Sequence, residues 1–134
     1  MTTRIFIPRD SSALSVGAEQ TAKAIERAAA TRKLDIAIVR NGSRGMLWLE
    51  PMIEVETPAG RIAYGPVSAN DVDGLFDAGL VSGGTHKLRL GKPEEIPYFK
   101  NQERLTFARC GITDPLSIED YRAHDGYKGL KRAL

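Results

Sequence analysis

Cysteine is almost missing from this chain of 134 residues: Cys110 stands alone. A lone thiol forms no internal disulfide and cannot supply the several thiolates that an iron–sulfur cluster needs. The scarcity fits a reducing cytoplasm. Histidine is nearly as rare, and His86 and His124 lie far apart, so both read as surface residues rather than metal ligands. No apolar run approaches the ~20 residues that span a bilayer. The opening stretch Met1 to Ser12 lacks the apolar core of a signal peptide. Charge of one sign is lacking too: 19 Lys and Arg against 17 Asp and Glu leave +2, too little to argue for nucleic acid. A P-loop is absent. Gly42 and Gly45 flank a strand end without the third glycine of a dinucleotide fingerprint, so they read as a turn.

What is present is an ordinary globular composition, 42% hydrophobic and 27% charged. The length suits one domain plus a tail and buries roughly two thirds of the unfolded surface. Arg4 to Ile7 alternates charge with Ile and Phe before Pro8, which predicts a first strand. Asp10, Ser11 and Ser12 offer N-cap oxygens to a helix expected from Ala13 to Thr31, with Ala18, Ala22, Ile25 and Ala29 on one face. Leu34 to Val39 reads as a mostly buried strand, giving a parallel crossover. A helical turn over Gly45 to Glu50 carries Trp48, and Met52 to Glu56 pairs with Arg61 to Tyr64 through the Thr57-Pro58-Ala59-Gly60 turn. Ser68 to Leu80 supplies a further helix. His86 to Tyr98, with a Gly and two Pro, reads as an irregular connector, and Pro97 opens a short helix. Ser117 caps a later helix that Asp125-Gly126 interrupts. Periodicity alone gives an α/β layered fold.

Few side chains suggest chemistry. Glu50, Glu54 and Glu56 raise the thought of paired carboxylates, but residues two apart share one strand face, so Glu54 and Glu56 are expected on the solvated side of the hairpin. Ser43 has no His or Asp close in sequence and is no candidate nucleophile. Cys110 follows Arg109, whose cation would activate a thiol; a small hydrophobe is the preferred reading. Trp48 and Phe76 are expected in the core. Tyr98, Phe99, Leu105 and Phe107 either pack back on the domain or form an uncovered partner surface.

The closing stretch from Arg104 carries Gly111-Ile112-Thr113-Asp114-Pro115, then Ser117, Asp120-Tyr121, Gly126-Tyr127, Leu130 and Ala133-Leu134. It resembles the opening of the NADH-binding flavoprotein subunit of respiratory complex I and its soluble relatives. There a Gly-x-x-(Asp/Asn)-Pro motif precedes a helical pair with two glycines in its turn; Asp125 replaces the first of these. The segments IFIPRDSSALSVGA, MLWLEPMIEVETPAGRIAYGPV and EEIPYFKNQERLTFAR look like the N-terminal extension of the beta subunit of soluble, molybdenum-dependent, NAD-linked formate dehydrogenases. The diaphorase subunit of NAD-reducing hydrogenases is the close competitor.

The resemblance implies a thioredoxin-like domain over residues 1–81, a mixed sheet with flanking helices. A linker over 82–103 follows, then a helical C-terminal tail over 104–134 that is an incomplete leader of an FMN- and NAD-binding domain. Because the chain stops inside an expected helix at Leu134, it is read as the front of a longer protein. FMN, NAD and [4Fe–4S] are implied for that parent, with none in this chain, so no catalytic, cofactor-binding or metal residue is carried over. Related thioredoxin-like ferredoxins hold a [2Fe–2S] cluster on cysteines in loops equivalent to Pro8–Leu14 and Ser43–Leu47. Neither loop has Cys or His here, which implies a scaffold without its redox centre. The implied partners are a molybdenum-containing alpha subunit and a ferredoxin-like gamma subunit, with no nucleic acid and no membrane. A free-standing adaptor, or a small thiol oxidoreductase using Cys110, are the alternatives.

Overall fold

The computed structural model describes residues 2–134. Strand β1 (Thr3–Phe6) is followed by α1 (Ser11–Ser15), α2 (Ala18–Thr31) and β2 (Ile36–Val39). A 3₁₀ turn over Leu47–Leu49 leads to the hairpin of β3 (Ile53–Thr57) and β4 (Gly60–Tyr64), and then to α3 (Val72–Asp77). Beyond it come β5 (Arg89–Gly91), α4 (Pro97–Lys100), α5 (Ile118–Ala123) and α6 (Lys128–Ala133). The five strands form one mixed sheet in the order β2-β1-β3-β4-β5. β1 and β2 are parallel, as the intervening helices require, and the other pairings are antiparallel.

Alternation along the strands divides the sheet into two unlike faces. On one face Ile5, Ile53, Val55, Ile62 and Tyr64 meet Ala22, Ile25 and Ala29 of α2 and Leu75 of α3, forming the main core. The small alanines let α2 sit close to the strands. Full burial of Ile25 alone contributes about 1.5–3 kcal/mol. The buried Thr21 hydroxyl donates to the Val67 carbonyl at 2.9 Å, tying α2 to the stretch after the hairpin. The opposite face carries Phe6, Glu54 and Ala63, and a second apolar cluster of Met46, Met52, Ala63 and Phe99 covers part of it.

Several local expectations change. The helix expected from Ala13 to Thr31 is two helices broken at Gly17, which adopts the left-handed conformation at φ 100°. Asp10 caps the first of them by accepting from the Ala13 N–H. β2 is a half-buried edge strand, not a mostly buried one, because among the described residues no strand pairs along its outer side. Trp48 is 60% exposed rather than in the core, since the 3₁₀ turn points it away from the sheet. Phe76 is buried as expected. Within the stretch read as an irregular connector, Arg89–Gly91 adds the fifth strand, and Phe99 packs into the second cluster. Ser117 caps α5 by accepting from the Asp120 N–H, and the turn over Asp125-Gly126 separates α5 from α6.

Candidate functional site

The second sheet face supplies the most developed polar arrangement. Glu54 lies at the centre of β3 and is 1% exposed, the reverse of the solvated position expected for it. Its neighbour Glu56 stays half-buried and pairs with Arg4. Glu54 is covered because the 43–50 loop and the tail fold over it. Arg44 reaches down from that loop, itself 6% exposed, and grips the carboxylate through Nε to Oε1 and Nη2 to Oε2, the latter at 2.8 Å. Arg61 on β4 approaches Oε2 with Nη1 at 3.3 Å, its guanidinium carbon 3.4 Å from the centre of the Phe6 ring.

Two arginines therefore share one buried carboxylate, unequally. Burial pulls the Arg44 pKa down, but the hydrogen bonds and charge of Glu54 more than offset it, leaving it raised. For Arg61 burial prevails over the attraction of Glu54, and the pKa falls. Both remain cations near neutral pH. Arg61 turns its remaining donors to the tail, with Nη1 on the Gly111 carbonyl at 3.0 Å and Nη2 on the Ile112 carbonyl at 3.0 Å. The buried Asn41 adds Nδ2 to the same Gly111 carbonyl at 2.7 Å.

Next to this centre lie the two loops whose equivalents carry cluster cysteines in the resemblance. They touch: the Arg9 N–H donates to the Asn41 carbonyl at 3.0 Å, and the Ser43 N–H donates to Asp10 Oδ2 at 3.1 Å. The Ser43 hydroxyl donates to Glu50 Oε1 at 2.6 Å, and the Met52 N–H to Glu50 Oε2 at 3.0 Å. Burial pushes the Glu50 pKa up, opposed by these two donors and reinforced by the charges of Asp10 and Glu54. A [2Fe–2S] cluster does not fit this donor set. Its irons need four ligands, mostly thiolates, whereas the oxygens here are engaged in closing the loops on each other. Among the described residues no three His, Cys, Asp or Glu side chains converge as metal ligands would.

The remaining candidates scatter. Cys110 is a free, half-buried thiol beside a surface cleft of about 400 Å³ lined also by Gly42, Arg109 and Thr113. His86 accepts from the Leu88 N–H, while His124 sits against Asp120, so the two histidines serve different local turns. Of the four apolar residues of the linker and tail, Phe99 packs inward, whereas Tyr98, Leu105 and Phe107 are 48%, 90% and 63% exposed. Tyr98 meets Trp48 edge-on at 5.0 Å between ring centres. Sequence reasoning missed Asn41, Arg44 and Arg61. The available signal was Glu54 inside an apolar strand, which demanded a buried cation from somewhere else in the chain.

No protein-family model matches the sequence, and no curated protein matches it. Solved structures do. The thioredoxin-like [2Fe–2S] ferredoxin from Aquifex aeolicus superposes with a TM-score of 0.59 at 20% identity, covering 72% of this chain and 96% of that one. A further structure of the wild-type ferredoxin gives 0.56 at 21% identity, covering 68% and 98%. A Cys-to-Ser variant gives 0.55 at 24% identity, covering 67% and 99%. The chain is similar to these ferredoxins in its architecture, and its fold is thioredoxin-like.

Proposed function

We propose that this chain is a structural and docking module without a redox centre, forming the N-terminal part of the NAD-reducing beta subunit of a formate dehydrogenase. The intact complex would convert formate and NAD⁺ to CO₂ and NADH, with FMN, NAD and [4Fe–4S] held outside these residues. Its partners would be the molybdenum-containing alpha subunit and the ferredoxin-like gamma subunit, in the cytoplasm. The observation that carries the reading is the pairing of a ferredoxin-type thioredoxin fold with loops closed by Asp10, Ser43 and Glu50 instead of thiolates. The Gly111 to Pro115 motif, seated against the domain by Arg61 and Asn41, supports a link to the flavoprotein family. Among the described residues no helix is long and apolar enough to cross a membrane.

The test has two arms. The chain incubated anaerobically with ferrous iron, sulfide and FMN, then desalted, is expected to emerge colourless; a stoichiometric chromophore sinks the proposal. Tagged chain co-expressed with a formate dehydrogenase alpha subunit is expected to retain it through purification. Retention of a hydrogenase partner in its place would move the assignment to the diaphorase subunit of an NAD-reducing hydrogenase.

A further inference from the structure

The tail does not simply follow the domain; it crosses the second sheet face and is held at two points. At the first, Arg104 Nη2 donates to the Arg44 carbonyl at 3.2 Å while its guanidinium stacks 4.6 Å from the centre of the Phe99 ring. At the second, the Gly111 carbonyl takes Asn41 Nδ2 and Arg61 Nη1, and the Ile112 carbonyl takes Arg61 Nη2. Between them Leu105 and Phe107 face outward. A segment with two such apolar residues has no hydrophobic reason of its own to lie here. What fixes it is hydrogen bonding to backbone carbonyls: Arg104 donates from the strap to the Arg44 carbonyl, and the buried Asn41 and half-buried Arg61 donate to the strap.

We infer that Asn41, Arg44, Glu54 and Arg61 form a built-in latch, a binding site for two consecutive backbone carbonyls, which straps residues 104–112 to the sheet. The parts divide the work. Arg61 contacts the strap with a planar fork that a lysine cannot reproduce. Glu54 is a positioning residue: it fixes Arg44 and draws Arg61 toward the strap while Phe6 supports the guanidinium from below. Gly111 is the key that enters. Its φ is +81°, and a Cβ there would lie 2.1 Å from Arg44 Cγ, so no other residue can approach as closely. The latch thus gives a physical role to the first residue of the Gly-x-x-Asp-Pro motif. It holds whichever substrate the parent complex oxidises, because it depends only on contacts within the chain.

The strap is tested by amide hydrogen exchange on the 134-residue chain with Gly111→Ala and Arg61→Lys. Gly111 is outside both apolar clusters, so the first variant can lose the strap without losing the sheet. Amides of Ile112, Thr113 and Asp114, which bond within the strap and to Asp120, are expected to exchange roughly tenfold faster or more, the effect of losing one to two net hydrogen bonds. The α2 amides are expected to keep their wild-type rates. Arg61→Lys is expected to give a smaller acceleration confined to the same residues. Wild-type exchange across 112–114 in Gly111→Ala would overturn the inference. So would acceleration of α2 by the same factor, which would mean general loosening rather than release of a strap.

Discussion

At the scale of single residues, the two buried glutamates, Glu54 on β3 and Glu50 in the preceding loop, are satisfied by different kinds of partner. Glu54 is satisfied by Arg44 and Arg61. Its removal takes from the buried Arg44 its two closest carboxylate contacts, leaving it only the exposed Glu94 at 3.5 Å, and from the half-buried Arg61 its one carboxylate contact among the described residues. Breaking a buried pair from one side costs about 3–5 kcal/mol. Glu54→Gln is therefore expected to reduce the unfolding free energy by an amount of that order, read as a lower urea midpoint with the slope unchanged; a shift near zero would show the pair to be solvated. Glu50 is held by the Ser43 hydroxyl and the Met52 N–H, and burial penalises its ionised form, so its pKa is raised in the folded state. For such a group, stability is fully present below the unfolded pKa and is lost as pH rises through the folded value. Glu50→Gln should accordingly gain on the wild type as pH is raised from about 4 toward 7. Paired denaturation curves across that range measure it, and a difference independent of pH contradicts the assignment.

At the scale of elements, the break between α1 and α2 depends on one backbone angle. Gly17 sits at φ 100° with only Gln20 near its missing Cβ, so an alanine meets little steric contact but the wrong conformation. Gly17→Ala is expected to cost about 1–2 kcal/mol, the penalty for an L-residue in the left-handed region. Urea denaturation followed by circular dichroism checks this, and a variant as stable as wild type would show that the two helices can merge. This element also shows how far a sequence can be read. The stripe of Ala18, Ala22, Ile25 and Ala29 is legible because helical spacing is a local property, and all four are buried. The break is not, because an isolated glycine is tolerated within a helical pattern and does not by itself mark an interruption. β5 escapes notice for a different reason: three residues ending in Gly91 show no alternation, and they become a strand only by pairing with β4. Glu54 shares a strand face with Glu56, as period-two spacing requires, but the expectation that it is solvated fails, because Arg44 and the tail cover it. The tail is held through Gly111 and Ile112, 50 or more positions away from Arg61 and Asn41 in sequence. No local pattern encodes a contact of that range.

At the scale of the whole molecule, the two sheet faces have different tasks. One is closed by α2 and α3 into an apolar core, and the other is covered by a loop and a strap that end in exposed aromatic and aliphatic side chains. Trp48 and Tyr98 pack on each other without being covered, and Phe107 and Leu105 share a cleft with Tyr98. Solvent contact by aromatic side chains at one end of a small domain has an energetic cost that burial by a partner would remove, which is why such patches mark interfaces. Under the proposed function the partner is the alpha or gamma subunit, and Trp48 is a built-in reporter because it is the chain's one tryptophan. In the isolated chain its fluorescence is expected to be readily quenched by acrylamide, as 60% exposure requires. On assembly with either subunit the quenching constant should fall severalfold and the emission shift to the blue. Leu105→Asp combined with Phe107→Asp, both on the outward side of the strap, should weaken that assembly while leaving the unfolding midpoint of the isolated chain unchanged. Full assembly with Trp48 still quenched as in the free chain would place the docking surface elsewhere, on the helices α5 and α6 whose Ile118, Tyr121 and Leu130 are also open to solvent.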